Sequence, residues 1–174
     1  MIYVGRLAVE KGIEDFLSSE APGRKVIVGD GPKRCILETK YPEARFTGYL
    51  FGEDLIREMN AADVFAFPSK TDTFGLVMLE AMACGLPVAA YPITGPIDVV
   101  ENGKSGCLDQ DLTAALIGAS GLSSADAIAR AQNFTWQKTA HMLVENLARI
   151  NLSCESEAKN KLPVQLKHQQ AAQQ

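Results

Sequence analysis

The strongest constraint on the fold is a regular alternation of short apolar runs with amphipathic segments over the first 97 residues. Five runs have the length and composition of strands: "MIYVG", "RKVIVGDGP", "ARFTGYL", "DVFAFPS" and "LPVAAY". The segments between them are predicted helices: "EKGIEDFLSSE" carries Ile13, Phe16 and Leu17 at helical spacing, and "FGLVMLEAMACG" is closed by Gly85 as its C-cap. Such alternation is typical of a parallel sheet covered by helices on both faces. The sequence therefore predicts a Rossmann-like, doubly wound α/β domain.

The pattern changes after residue 97. The segment "DVVENGKSGCL" is interpreted as a short helix followed by a glycine-rich turn. Two or three extra C-terminal helices are predicted in "DLTAALIGAS", "SADAIARAQ" and "TWQKTAHMLVENLARI". We expect residues 1–152 to form one domain and residues 153–174 to form a polar, frayed tail.

Composition narrows the classes of function. The chain has 174 residues and a net charge of −4 without a basic cluster, so nucleic acid is not an expected partner. Charged residues are spread through the first thirty positions, and no run approaches the roughly 18 apolar residues that cross a bilayer. We therefore expect a cytoplasmic or peripherally membrane-associated protein. The four cysteines have no paired spacing, which predicts neither a zinc site nor a disulfide framework.

The candidate binding loops follow from the predicted sheet, because ligands of open α/β sheets bind outside the carboxyl ends of the strands. These loops are residues 5–11, 29–32, 48–52, 69–75 and 91–95. Most contain glycine, which permits close approach of a ligand to the backbone.

Glu80 is the only Asp, Glu, Lys, Arg or His between residues 73 and 97. A carboxylate on an otherwise apolar helix is rarely buried without a partner. One interpretation is an ion pair with a basic group elsewhere in the fold. The other is a site for a hydroxylated ligand, since a ribose diol can donate two hydrogen bonds to one carboxylate.

Asp72 precedes the same helix and also has two interpretations. It could cap the helix, but Thr73 could serve equally well, which would leave Asp72 free to face a ligand. The amides of Phe74, Gly75 and Leu76 would then form an exposed helix N-terminus, which is a natural phosphate site.

Two basic residues, Arg6 and Lys11, flank the first loop. Individually each could be a solvated surface charge, whereas together on the rim of the sheet they could neutralise a pyrophosphate. The nearby "VGDGPKR" is similar to a dinucleotide fingerprint, but Arg34 stands at the third glycine position, so that motif fails.

Several segments, in order and at familiar spacing, together resemble a known family: "VGRLAVEKG", "VIVGDGP", "FTGYL", "AADVFAFPSKTDTFGLVMLEAMACGLPVAAYPITG" and "VENGKSGCL". They are similar to the nucleotide-binding half of retaining glycosyltransferases of family 4, which have the GT-B fold. The resemblance covers roughly residues 2–150. Within the family, "TDTFGLV" and "YPITGP" look most like bacterial α-mannosyltransferases.

The resemblance implies roles for individual residues. The family hallmark is an acid, seven residues and then Glu, and here the pair is Asp72 and Glu80. By resemblance, Asp72 contacts the hydroxyls of the donor sugar, Glu80 the ribose, and Arg6 with Lys11 the diphosphate. Asp72 is one methylene shorter than the commoner Glu. The implied donor site comprises Gly5, Arg6, Lys11, Gly29, Tyr49, Leu50, Asp72, Thr73, Phe74, Gly75, Leu76 and Glu80, with Arg6, Lys11 and Asp72 also catalytic. In that set, Tyr49 and Leu50 line the base pocket.

The reaction implied is transfer of a hexose from a nucleoside-diphosphate sugar to a hydroxyl of a lipid or glycan, with retention of configuration and without a metal. The resemblance also implies an acceptor-binding half that is absent from this chain and is supplied in cis or in trans. Any peripheral membrane association is expected through that half. The chain alone is expected to bind nucleotide and to transfer little or nothing. Two alternatives stay open: a GT-B nucleotide-sugar epimerase domain, and a non-catalytic nucleotide-binding module or subunit of a split enzyme.

Overall fold

A computed structural model of the chain describes residues 1–72, 74–135 and 137–138. Six strands are present in this part: β1 (Ile2–Val4), β2 (Val26–Val28), β3 (Arg45–Gly48), β4 (Phe65–Phe67), β5 (Val88–Ala90) and β6 (Gly106–Leu108). The helices described there are α1 (Ile13–Ser18), α2 (Arg34–Lys40), α3 (Gly52–Asn60), α4 (Leu76–Ala83), α5 (Pro96–Val99), α6 (Leu112–Ser120) and α7 (Ser124–Ala131), with a 3-10 helix at Val9–Lys11.

The strands form one parallel sheet in the order β3-β2-β1-β4-β5-β6. This order confirms the predicted Rossmann-like, doubly wound fold. From β1 the chain first adds strands towards β3, and from β4 it adds them in the opposite direction. The loops after β1 and β4 therefore diverge, which opens a crevice at the carboxyl edge of the sheet.

Two hydrophobic cores lie on the two faces of the sheet, because successive side chains of a strand point to opposite faces. Tyr3, Ile27 and Ala89 belong to one core, together with residues of α1 and α6. Ile2, Val28, Phe65 and Val88 belong to the other, together with residues of α4 and α7. Burial on both faces explains why the strands appear in the sequence as continuous apolar runs.

The interpretation of "DVVENGKSGCL" was only partly right. The short helix exists as α5, but Gly106–Leu108 is a sixth strand that pairs with β5 at the edge of the sheet rather than a turn. Gly106 makes this strand hard to predict from the sequence, since glycine is depleted in strands. The structure requires it, because a Cβ at Gly106 would lie 2.2 Å from the carbonyl oxygen of Val88.

The later helices α6 and α7 were both predicted. In the described part of the chain no single helix is long and apolar enough to cross a membrane; α6 and α7 pass that test only as a pair, and they are bent by 105° at the break between them. Apart from residues 135, 137 and 138, the helix predicted in "TWQKTAHMLVENLARI" lies outside the described residues, as does the boundary between residues 152 and 153.

The glycines after β2 allow two loops to touch through their backbones. A Cβ at Gly29 would lie 2.0 Å from the carbonyl oxygen of Gly5, and a Cβ at Gly31 would lie 2.4 Å from that of Leu7. The Leu7 amide also donates to the carbonyl of Asp30 at 2.9 Å. The side of Gly29 on which a Cβ would lie therefore faces the neighbouring loop, and a contact between Gly29 and the donor stays a prediction.

Gly31→Ala is expected to destabilise the domain by about 1–3 kcal/mol, because the added methyl overlaps the Leu7 backbone, which cannot move without shifting the loop. Gly31 is not among the residues with positive φ, so the cost is steric. The free energy of unfolding from urea titration checks this. Gly121→Ala is the matched control, since its Cβ would meet no atom within 4 Å. Equal effects of the two substitutions would contradict the proposed contact between the loops.

Candidate functional site

A cavity of about 550 Å³ opens at the carboxyl edge of the sheet, where the loops after β1 and β4 diverge. Its lining consists of Tyr3, Val4, Gly5, Arg6, Glu10, Lys11, Phe67, Ser69, Thr71, Asp72 and Val77. Four of the predicted site residues, Gly5, Arg6, Lys11 and Asp72, are thus brought together although they are far apart in sequence. The position is the one that the strand order predicts for a ligand.

Lys11 and Asp72 form an ion pair across this cavity. The Nζ of Lys11 lies 2.6 Å from Oδ1 of Asp72, and each side chain is 26% exposed. Lys11 ends the 3-10 helix after β1, whereas Asp72 follows β4, so the pair bridges the two diverging loops. Both groups face the cavity, as predicted, but in this structure they satisfy each other.

Arg6 is the second cation of the cavity. Its side chain is exposed and has no hydrogen bond or ion pair with any residue that the structure describes. The acids on the lining are Glu10 and Asp72, and Asp72 is neutralised by Lys11. The guanidinium of Arg6 is therefore available to an anion entering the cavity.

The N-terminus of α4 borders the same cavity through Val77. The N-cap residue is Gly75, with φ of +73°, and no side chain of the described residues caps the helix. The interpretation of Asp72 as a cap was therefore wrong; Thr73 lies outside the described residues. First-turn amides of a helix have no intrahelical partner and carry the positive end of its dipole. A ligand in the cavity can accept hydrogen bonds from this end of α4.

Glu80 is exposed and makes no ion pair or hydrogen bond within the described part of the chain. The ion-pair interpretation was therefore wrong there. Glu80 lines a neighbouring groove of about 370 Å³ together with Leu79, Ala83, Ile128, Ala131, Gln132 and Phe134. It follows Val77 by three residues, about 4.5 Å along the helix axis. A ligand that leaves the first cavity along α4 would reach this carboxylate.

The other predicted site residues that the structure describes do not line this cavity. Tyr49 and Leu50 follow β3, where the Tyr49 ring is 61% exposed and stacks on Phe51 with the ring centroids 6.1 Å apart. Phe74 packs edge-on against Phe134 at 6.2 Å. In the last candidate loop, Tyr91 is buried and donates its hydroxyl to Asp15 at 2.7 Å, so it serves the core.

Tyr3 is a cavity residue that the sequence analysis missed. Its side chain is only 3% exposed, yet it lines the cavity, and its hydroxyl donates to the carbonyl oxygen of Arg6 at 3.0 Å. Burial raises the pKa of the Tyr3 hydroxyl, and the negative charges of Asp72 and Glu10 raise it further. A tyrosine in a buried strand has the pattern of a core residue, so no signal in the sequence distinguishes it.

Among the described residues, no group of three or more His, Cys, Asp or Glu side chains is arranged to hold a metal ion. The expectation of a metal-free reaction stays a prediction, because this observation concerns only a protein-based set of ligands.

Comparison with known proteins identifies the family. The family of glycosyl transferases, group 1, matches residues 1–120. A GDP-mannose-dependent alpha-mannosyltransferase of Corynebacterium glutamicum is 42% identical over 108 residues, covering 61% of this chain and 26% of that protein. The sulfoquinovosyl transferase SQD2 of Arabidopsis thaliana is 40% identical over 116 residues, covering 62% and 23% respectively. The chain thus spans about a quarter of the length of these relatives.

A solved structure of Anabaena HepE in complex with UDP-glucose has the same fold, with a TM-score of 0.65 and 25% identity. The match covers 83% of this chain and 48% of that protein. This likeness confirms the fold expected from the resemblance, that of a half of a GT-B glycosyltransferase.

Glu80→Gln is expected to change the free energy of unfolding by less than about 0.5 kcal/mol, because the carboxylate is exposed and unpaired in the described structure. Urea denaturation checks this. Asp15→Asn is the contrasting variant and is expected to destabilise the domain, since Asp15 accepts hydrogen bonds from Tyr91 and Lys70. A large loss of stability in Glu80→Gln would show that Glu80 supports the fold.

Proposed function

Because the chain belongs to the group 1 glycosyltransferases, we propose that its parallel-sheet domain holds the nucleoside-diphosphate sugar donor of a retaining family 4 hexosyltransferase. The observation that carries the proposal is the cavity between the loops after β1 and β4. It combines an arginine that has no partner among the described residues, a lysine, an acid and the N-terminus of α4. Phosphate groups and sugar hydroxyls are the ligand chemistry that such a set recognises.

In this proposal the diphosphate occupies the end of the cavity lined by Arg6 and Lys11. Arg6 offers a planar set of donors that has no other partner in the described structure. The backbone amides of Phe74, Gly75 and Leu76 supply the positive end of α4. When the bond to the sugar breaks, negative charge grows on the leaving diphosphate, so these groups stabilise the transition state more than the bound donor.

The sugar then lies beside Asp72, whose carboxylate accepts hydrogen bonds from sugar hydroxyls. Lys11 and Asp72 must separate for both to serve the donor. Breaking this ion pair costs little free energy, because partly exposed ion pairs contribute only about 0–1 kcal/mol to stability. A donor that offers phosphate to Lys11 and hydroxyls to Asp72 replaces both halves of the lost contact.

The nucleoside extends past Val77 along α4, so that Glu80 accepts hydrogen bonds from the ribose hydroxyls. Glu80 is exposed and free for this role within the described structure. We place the base against Tyr49 and Leu50 at the end of β3, where the exposed tyrosine ring offers a stacking surface.

The donor we propose is a nucleoside-diphosphate hexose, with GDP-mannose as the first candidate. Mannose is supported by the mannosyltransferase relative at 42% identity and by the resemblance of "TDTFGLV" to bacterial α-mannosyltransferases. A sulfoquinovosyl transferase at 40% identity and a UDP-glucose complex of a protein with this fold define the competing donors. The proposed acceptor is a hydroxyl of a lipid or glycan.

We further propose that an acceptor-binding half acts with this domain, in cis or in trans, since the chain matches only 26% of the mannosyltransferase and 48% of the Anabaena protein. No metal enters this mechanism. The proposed location is cytoplasmic, with any contact to a membrane made through the acceptor-binding half.

Calorimetric titration with GDP, UDP and ADP is expected to show selective binding of one nucleotide by the 174-residue chain. Arg6→Ala is expected to lower the affinity for that nucleoside diphosphate at least tenfold, because a charge-assisted hydrogen bond contributes about 1.5–3 kcal/mol. The affinity for the matching nucleoside is expected to stay unchanged. Glu80→Gln is expected to lower the affinity for both the nucleoside diphosphate and the nucleoside.

Arg24→Ala is the matched control, since Arg24 precedes β2 at the opposite edge of the sheet. A folded chain that binds none of the three nucleotides, or that loses affinity equally in Arg24→Ala and Arg6→Ala, would refute the proposed diphosphate site.

Asp72→Asn is expected to distinguish the role of Asp72 in sugar binding from the role of Lys11 in diphosphate binding. The substitution releases Lys11, so affinity for the free nucleoside diphosphate stays equal or rises by up to about fivefold. The additional affinity contributed by the sugar is expected to fall, because an amide accepts sugar hydroxyls less strongly than a carboxylate. Paired titrations with the nucleotide and its sugar conjugate measure both effects. Parallel losses for the two ligands would contradict a contact between Asp72 and the sugar.

A further inference from the structure

We propose that Tyr3 is a positioning residue for the diphosphate: its hydroxyl fixes the backbone of Arg6, so that the Arg6 guanidinium stays over the cavity. This inference rests on the proposed function, because it concerns the loop that would hold the phosphates. Tyr3 acts through Arg6 in this account and does not need to touch the ligand.

The geometry ties the strand to the loop. Tyr3 lies in the middle of β1 with its ring buried among core residues of one face of the sheet. Its hydroxyl reaches the carbonyl oxygen of Arg6, three residues later, at 3.0 Å. The loop after β1 is thereby tied back to a buried central strand of the sheet, at the residue whose side chain lines the cavity.

The backbone on either side of Arg6 is held differently. The Gly5 amide donates to Val28 at 3.0 Å and the Leu7 amide donates to Asp30 at 2.9 Å, so both neighbours are bonded to β2 or the loop after it. Arg6 itself has only its carbonyl engaged among the described residues. That carbonyl accepts from the Ala8 amide at 3.1 Å and from Tyr3. The tyrosine is therefore the one side chain described that fixes this peptide.

The protonation state of Tyr3 suits the task. A hydroxyl must keep its proton in order to donate to a carbonyl. Burial raises the pKa of Tyr3, and the carboxylates of Asp72 and Glu10 raise it further. The contact is thus maintained at neutral pH. Since the hydroxyl is committed as a donor, it offers no second proton to a phosphate, which favours an indirect role.

Simple packing in the core is the competing explanation, and Tyr3→Phe separates the two. The phenylalanine keeps the ring in the core and removes only the hydroxyl. We expect this variant of the 174-residue chain to bind the preferred nucleoside diphosphate about threefold to tenfold more weakly. Binding of the matching nucleoside is expected to stay unchanged. Inorganic pyrophosphate, titrated in parallel, probes the anion site without the nucleoside.

The decisive readout is a double-mutant cycle with Arg6→Ala. If Tyr3 acts through Arg6, then Tyr3→Phe has little further effect in the Arg6→Ala background, and the two effects on affinity are not additive. Tyr91→Phe is the matched control. It removes another buried hydroxyl, which bonds to Asp15 on the same core face, and is expected to cost stability without changing affinity.

Each result has a defined consequence. Additive losses in the cycle, equal losses for nucleoside and diphosphate, or unchanged affinity in Tyr3→Phe would overturn the positioning role. If the wild-type chain binds pyrophosphate in a Tyr3-dependent way but binds no nucleoside diphosphate, the proposed function fails while the inference about Tyr3 survives. If it binds neither ligand, both fail.

Discussion

The reversal of strand order between β1 and β4 is the constraint on which the rest of the structure depends. Because neighbouring strands are added in opposite directions from this point, the two loops at the carboxyl edge diverge and leave a cavity of about 550 Å³. Lys11 comes from one loop and Asp72 from the other. The two residues are 61 positions apart in the sequence, yet their charged atoms lie 2.6 Å apart. The chemistry of the site is therefore a consequence of topology.

The backbone from Gly5 to Leu7 is held by contacts with the loop after β2 and by the buried side chain of Tyr3. Gly29 and Gly31 lack the side chains that would push the second loop away from Gly5 and Leu7. The first loop is thereby supported from one side by a neighbouring loop and from below by Tyr3. Such support leaves the polar side chains as the movable parts of the site, above a backbone that is fixed before a ligand arrives.

Much of the fold could be predicted, because burial on both faces makes the central strands continuous apolar runs. The edge strand Gly106–Leu108 was not predicted. Its first residue must be a glycine to pass the Val88 carbonyl, and glycine is depleted in strands. The charged site residues stood out as polar positions at predicted strand ends, and the structure brings Arg6, Lys11 and Asp72 together. The role of Tyr3 depends on the contact of its hydroxyl with the Arg6 carbonyl, and the groove beside Glu80 depends on which side chains of α4 and α7 meet. No local pattern in the sequence encodes either one.

The pairing of Lys11 with Asp72 gives the site a compact arrangement in which its two central charges neutralise each other. A buried pair of this kind would resist separation, but at 26% exposure water and a ligand can compete for both groups. A free phosphate satisfies only the lysine, and a free sugar satisfies only the carboxylate, so either one alone leaves a charge without its partner. A ligand that carries both groups satisfies the two ends at once. In the proposed function, the ion pair therefore favours the intact donor over either of its fragments.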